Sequence, residues 1–182
     1  MTDPGAATSG GGAYEAILLL GSNIDPERNL PRAIAELRRV AQVLAASSVW
    51  QTAPVGDPHQ ADFCNAAVRL RTDLDPQALR VKLRGIEDRL GRVRDPSNKN
   101  AARTIDLDIA HLRRVDDGQC LVYDPELRER VFAAASAAEL APDLRLPDGE
   151  RLCEAAARLR ARDAARLRLT RREDLRLNAA QS

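Results

Sequence analysis

The stretch Arg103-Thr104-Ile105-Asp106-Leu107-Asp108-Ile109 alternates apolar and polar residues with a period of two after its first pair. Successive side chains of a strand point to opposite faces, so Ile105, Leu107 and Ile109 face a core while Asp106 and Asp108 share the other side. The pattern predicts a strand over 104–112, with the two carboxylates roughly 6–7 Å apart at Cα. Carboxylates that close repel unless a cation or arginines lie between them. Hard oxygen ligands of this kind suit Mg²⁺, which keeps waters and takes further ligands from substrate phosphates. A solvated face paired with surface arginines is the competing reading of Asp-x-Asp alone.

Upstream, Arg92, Arg94, Lys99 and Arg103 gather in a polar stretch containing Pro96, Ser97, Asn98 and Asn100, which reads as a long loop. Cations beside a metal site are what phosphoryl transfer needs, because charge builds on the transferred and leaving oxygens. There is no Gly-x-x-x-x-Gly-Lys segment, which excludes a P-loop enzyme. Before that loop, Asp75-Pro76 opens a helix running to Gly91, and 63–72 reads as a strand with Asn65, Ala67, Arg69 and Arg71 on one face. Phe63 shares the facing of Asn65, so a flat heteroaromatic ring could stack there beside an amide that both donates and accepts; an ordinary core aromatic is the alternative.

Towards the N-terminus, Ala16-Ile17-Leu18-Leu19-Leu20 predicts a buried strand ending at Gly21-Ser22-Asn23. Asp25-Pro26 suits a helix start, with Pro31 able to shift it to Asn29, and helical spacing carries on to about Ala45. A strand is expected over 47–52, then a loop over 53–60. Downstream, a short strand over 121–123, a helix over 125–140 and a last helix from Glu150 to about Leu169 are expected. His111 is expected to face away from Asp106 and Asp108. These elements mix strands and helices without regular βαβ spacing, which favours an α+β sandwich.

The 182 residues suit one domain. The expected division is a disordered tail over 1–12, a single domain over 13–169 ending in an Arg-rich helix, and a polar tail over 170–182. Residues 151–182 hold nine arginines against four acids, yet the net charge is only +1, so no strong field for nucleic acid or membrane is expected. The first twelve residues lack a basic and then apolar leader pattern, and no apolar run could span a bilayer. Cys64, Cys120 and Cys153 lack metal or redox spacing and read as free thiols. A cytoplasmic monomer is the expectation.

Further segments extend the pattern: Leu20-Gly21-Ser22-Asn23, Ser48-Val49-Trp50-Gln51-Thr52-Ala53-Pro54-Val55-Gly56, Phe63-Cys64-Asn65, Leu90-Gly91-Arg92-Val93-Arg94, Arg130-Val131-Phe132 and Leu146-Pro147-Asp148-Gly149. In this order and spacing, with the Asp-x-Asp strand, the chain resembles the 6-hydroxymethyl-7,8-dihydropterin pyrophosphokinase family from about Tyr14 to Gly149. The resemblance implies a ferredoxin-like sandwich, a mostly antiparallel sheet with helices packed on its faces. It implies ATP-dependent transfer of diphosphate to the pterin hydroxymethyl group, releasing AMP, in folate biosynthesis. It implies two Mg²⁺ ions on Asp106 and Asp108, with Arg92 and Arg103 as catalytic arginines. Glu87, Arg94, Ile109 and Arg130 match nucleotide-contacting positions, and Thr52, Val55, Phe63, Asn65 and Phe132 match the pterin site. The chain departs from the family at Ala101-Ala102, at Lys99-Asn100 and at Tyr123-Asp124, where an acid replaces an ATP-facing histidine. A relative that binds pterin or nucleotide without catalysis is the competing reading.

Overall fold

Tyr14–Ser22 forms β1 and lies at the centre of the sheet, because both its faces are apolar. Ala16, Leu18 and Leu20 turn to one core, and Ile17 and Leu19 to another. The computed structural model describes residues 13–54, 59–95, 97–98, 101–163 and 168–177. The remaining elements are α1 (Pro26–Leu37), β2 (Gln42–Ala46), β3 (Trp50–Thr52), β4 (Phe63–Thr72), α2 (Pro76–Arg89), β5 (Asp106–Arg114), β6 (Cys120–Tyr123), α3 (Glu126–Glu129), α4 (Val131–Ala138), α5 (Leu152–Asp163) and β7 (Thr170–Arg171).

Among the described residues the strands form one antiparallel sheet in the order β6-β5-β1-β4-β3-β7, with β2 also paired to β4. The core order β5-β1-β4-β2, built from a β-α-β-β-α-β succession, is the ferredoxin-like arrangement expected. Leu30, Ile34 and Leu37 of α1 and Leu79, Leu83 and Ile86 of α2 cover one face. The other carries α4 and α5, where Ala133, Ala134 and Ala137 are small enough to let α4 lie close on Ala67 and Ala110.

Several expectations need correction. Helix α1 keeps Pro31 inside it and stops at Leu37, not near Ala45. Val43 and Ala46 turn inward while Gln42 and Leu44 stay exposed, so 42–46 alternates and pairs with β4 across a bulge. The helix expected over 125–140 is two helices broken at Arg130, whose φ of −112° and ψ of 122° are extended. A bulge in the β1–β5 ladder, where Ile17 and Leu18 pair with His111 and Ile109, puts both Ala110 and His111 on the α4–α5 side. His111 therefore shares the facing of Asp106 and Asp108 but lies further along the strand, in a separate recess with Glu15, Arg69 and Arg113. Residues 170–177, expected within a polar tail, instead add β7 to the sheet and bury Leu175 and Leu177 in the α1–α2 core.

Candidate active site

Sheet pairing assembles the site at one end of β1. Gly21 lies level with Asn65 on one side and Asp106 on the other. A Cβ on Gly21 would stand 3.4 Å from Asn65 Oδ1. The missing side chain therefore leaves room between the amide and the acid strand. Around these three residues opens a cavity of about 640 Å³, lined also by Thr52, Phe63, Arg103, Asp108, Asp124, Arg130 and Phe132. The helix break at Arg130 is what turns Arg130 and Phe132 towards it.

One side of the cavity is aromatic and amide-bearing. Thr52 pairs with Phe63, and Trp50 with Asn65, across the β3–β4 ladder. Asn65 Nδ2 donates to Thr52 Oγ1 at 3.0 Å, which fixes the amide and leaves its oxygen turned towards Gly21. The Arg103 guanidinium lies over the Phe63 ring, 5.4 Å from its centroid.

The other side is charged. Arg103 pairs through Nη1 with Asp106 Oδ2, while Arg92 Nη2 stands 3.5 Å from Asp106 Oδ1. Among the described residues Arg92 Nε and Nη1 are buried without a hydrogen-bond partner, and burial lowers the pKa of that guanidinium from its ordinary value. Burial, and then the carboxylates of Asp106, Glu87, Asp124 and Glu126, push the Asp108 carboxyl up to about 7. Asp108 is nonetheless open to solvent on its cavity side, and the neighbouring carboxylates add to the effect of burial. A cation at these two carboxylates would relieve that repulsion. Among the described residues no group of three or more His, Cys, Asp or Glu side chains is placed to hold a metal ion. The hard oxygens of Asp106 and Asp108 suit an ion of the Mg²⁺ kind, which takes its remaining ligands from phosphate and water oxygens.

The expected residues do not all meet in this cavity. Glu87 is buried behind β5, accepting from Leu107 N at 2.8 Å and pairing with Arg94. Burial raises its pKa above the ordinary carboxylate value. Ile109 belongs to the α1–α2 core. Val55 lies outside the described residues, as do Lys99 and Asn100. Asp124 lines the cavity, and its Oδ1 also accepts from Glu126 N at 2.9 Å and holds the first turn of α3. Arg128 is occupied by Asp148 at 2.6 Å.

The structure adds lining residues that sequence reasoning missed: Glu126, Glu129, Arg162 and Asp163. Arg162 and Asp163 form a two-pronged ion pair at the end of α5. Their only sequence signal is the arginine density of that helix. Asn23 was noted only within its motif, yet its side chain joins two loops. Its Oδ1 accepts from Arg103 N at 2.7 Å, and its Nδ2 donates to Gln60 Oε1 and Ala61 O, each at 3.2 Å.

Residues 17–142 match the family model described as 7,8-dihydro-6-hydroxymethylpterin-pyrophosphokinase (HPPK). The chain is 40% identical over 130 residues to the 2-amino-4-hydroxy-6-hydroxymethyldihydropteridine pyrophosphokinase of Bacillus subtilis, covering 69% of this chain and 77% of that one. It is 38% identical over 149 residues to the protein of the same name from Methylorubrum extorquens, covering 79% and 92%. The fold is similar to a crystal structure of Plasmodium falciparum HPPK-DHPS, with a TM-score of 0.68 and 12% identity. That likeness covers 87% of this chain but only 47% of the solved one. Fold and site together define an antiparallel α+β sandwich with paired acids and arginines beside an aromatic amide pocket. The chain belongs to the HPPK family.

Proposed function

We propose that this cavity performs the family's reaction, ATP-dependent transfer of diphosphate to the hydroxymethyl group of 6-hydroxymethyl-7,8-dihydropterin, a step of folate biosynthesis. The observation that carries the reading is the meeting, at one end of β1, of an acid pair, with Asp106 held by two arginines, and an amide that shares the cavity with two phenylalanines. In this reading the pterin ring stacks between Phe63 and Phe132, with Asn65, Thr52 and the chain at Val55 recognising its edge. Arg103 now covers Phe63, so an entering ring displaces it towards the phosphates.

Two Mg²⁺ ions on Asp106 and Asp108 would neutralise phosphate charge and polarise the phosphorus–oxygen bonds. Arg92 and Arg103 meet the charge that grows on the transferred group and the departing AMP. The substrate hydroxyl oxygen bonds to the β-phosphorus as the bond to the α-phosphate oxygen breaks and AMP leaves, with the hydroxyl proton passing to a carboxylate of the site or to water. Arg130 is the nucleotide contact that lines the cavity directly. Glu87, Arg94 and Ile109 support it from behind β5, by fixing the strand that carries both acids. We assign the work to a monomer; no helix among the described residues is long and apolar enough to cross a membrane.

The test is product identity. Protein supplied with Mg²⁺, ATP and 6-hydroxymethyl-7,8-dihydropterin should release AMP with pterin-dependent kinetics. Release of ADP, or no nucleotide turnover, would defeat the reading. Binding of pterin without turnover would favour the non-catalytic relative.

A further inference from the structure

The pterin side of the cavity rests on one of the shortest strands of the sheet. β3 has three residues, Trp50–Thr52, and Thr52 is one of them. A strand this short has few ladder bonds to hold its register. Its pairing to β4 places Gln51 opposite Cys64, between the Thr52–Phe63 rung and the Trp50–Asn65 rung. The two outer rungs carry the cavity residues. The middle rung points the other way, where Cys64 joins the α1–α2 core.

That middle rung is gripped from below by one side chain lying beyond the 17–142 family match. Arg172 Nη1 donates to Gln51 Oε1 at 3.3 Å and to Cys64 Sγ at 3.6 Å. Its Nη2 donates to Glu27 Oε1 at 2.8 Å and Asp174 Oδ2 at 2.7 Å, and its Nε to Asp174 Oδ1 at 2.8 Å. The same guanidinium therefore binds both strands of the rung and ties them to the first turn of α1. Around it, β7 pairs along the outer edge of β3, and Arg172 N donates to Val49 O at 2.9 Å. Leu175 and Leu177 anchor the segment in the core just beyond.

We infer that Arg172 is a positioning residue for the pterin half of the site, setting the β3–β4 register that presents Thr52, Phe63 and Asn65. The inference rests on the functional reading above. A fork with five donors suits this task better than a lysine, which offers one compact charge. The phosphate half stands on β5 and the loop before it, two strands away across β1, so loosening the rung should leave it undisturbed.

The experiment uses the full chain with Arg172→Met, Arg172→Lys and Glu27→Gln, the last removing one anionic partner while leaving the segment in place. KM for the pterin and for ATP, kcat for AMP release, and thermal midpoint are measured for each. Arg172→Met should raise the pterin KM on the order of tenfold while the ATP KM stays within about twofold, the pattern of misplaced substrate groups. Arg172→Lys and Glu27→Gln should move it the same way by less. If Arg172→Met does not fold, Glu27→Gln alone carries the comparison. A purely structural role would lower the active fraction and kcat and leave both KM values alone. Equal shifts in the two KM values, or an unchanged pterin KM in the folded variants, would overturn the inference and leave the functional reading standing. A wild-type protein that neither binds pterin nor releases AMP would overturn both.

Discussion

Asp106 differs from Asp108 in its company. Asp106 holds two arginines, whereas Asp108 faces like charges without a paired cation among the described contacts. Substituting either by Asn deletes an anionic ligand from the proposed metal site. We expect turnover to fall by at least about 10²-fold in Asp106→Asn and Asp108→Asn, with the fold intact by circular dichroism. Near-normal turnover in either folded protein would remove the metal assignment. Phe63→Ala should weaken pterin binding by about 1–3 kcal/mol, the scale of stacking a flat ring on an aromatic. Calorimetry with an ATP analogue should show nucleotide binding little changed. These residues were legible because a strand converts alternation into facing, so Asp106 with Asp108, and Phe63 with Asn65, could be paired by counting. Arg162 and Asp163 were not legible: only folding brings the end of α5 to the cavity.

At the scale of elements, counting failed where two periods overlap. Residues 37–46 satisfy helical spacing through Leu37, Val40 and Val43, but β4 offers an open edge, and pairing with it decides the outcome for 42–46. The break at Arg130 was equally hidden, since nothing in Arg130-Val131-Phe132 forbids a helix. The end of the chain was misjudged by composition. Its arginines suggested a solvated tail, while two leucines spaced two apart bury themselves beside α1. Each contributes about 1.5–3 kcal/mol by burial, so truncation after Arg171 should lower the denaturant midpoint clearly. An unchanged midpoint would show that 172–182 is dispensable after all. Asp124 carries two roles on the short link between β6 and α3. Its bond to Glu126 N stabilises the turn, and its charge faces the cavity. Asp124→Asn keeps an acceptor and removes the charge, so it should tighten ATP binding. Asp124→His removes both and should also lower the thermal midpoint. Weaker nucleotide binding in Asp124→Asn would assign the carboxylate a constructive part in the site.

For the whole molecule, the acids gathered at one end of the sheet make stability depend on pH in the direction opposite to ordinary acid denaturation. Asp108 binds its proton more tightly folded, near pH 7, than at the ordinary carboxylate value of the unfolded chain. Between those two values the native state holds more protons than the unfolded state, so the stability contributed by this group falls as pH rises through the window. Glu87 and Glu126 are raised as well and act in the same sense. Buried His111 is lowered, and so are the carboxyls of Glu27, Asp117, Glu150, Glu154 and Asp174, which accept hydrogen bonds; these groups act in the opposite sense below their ordinary values, so the whole-protein curve mixes both. Asp108→Asn isolates the acid term. In the presence of a chelator, urea denaturation at pH 5 and pH 8 should show the variant gaining stability over wild type at pH 8 and little at pH 5. Adding Mg²⁺ with ATP should shrink the gain, because bound cations favour the charged carboxylate that Asn lacks. A difference between the two proteins that is the same at both pH values would mean that Asp108 ionises as an ordinary carboxylate and that the acids of the cavity do not act on one another.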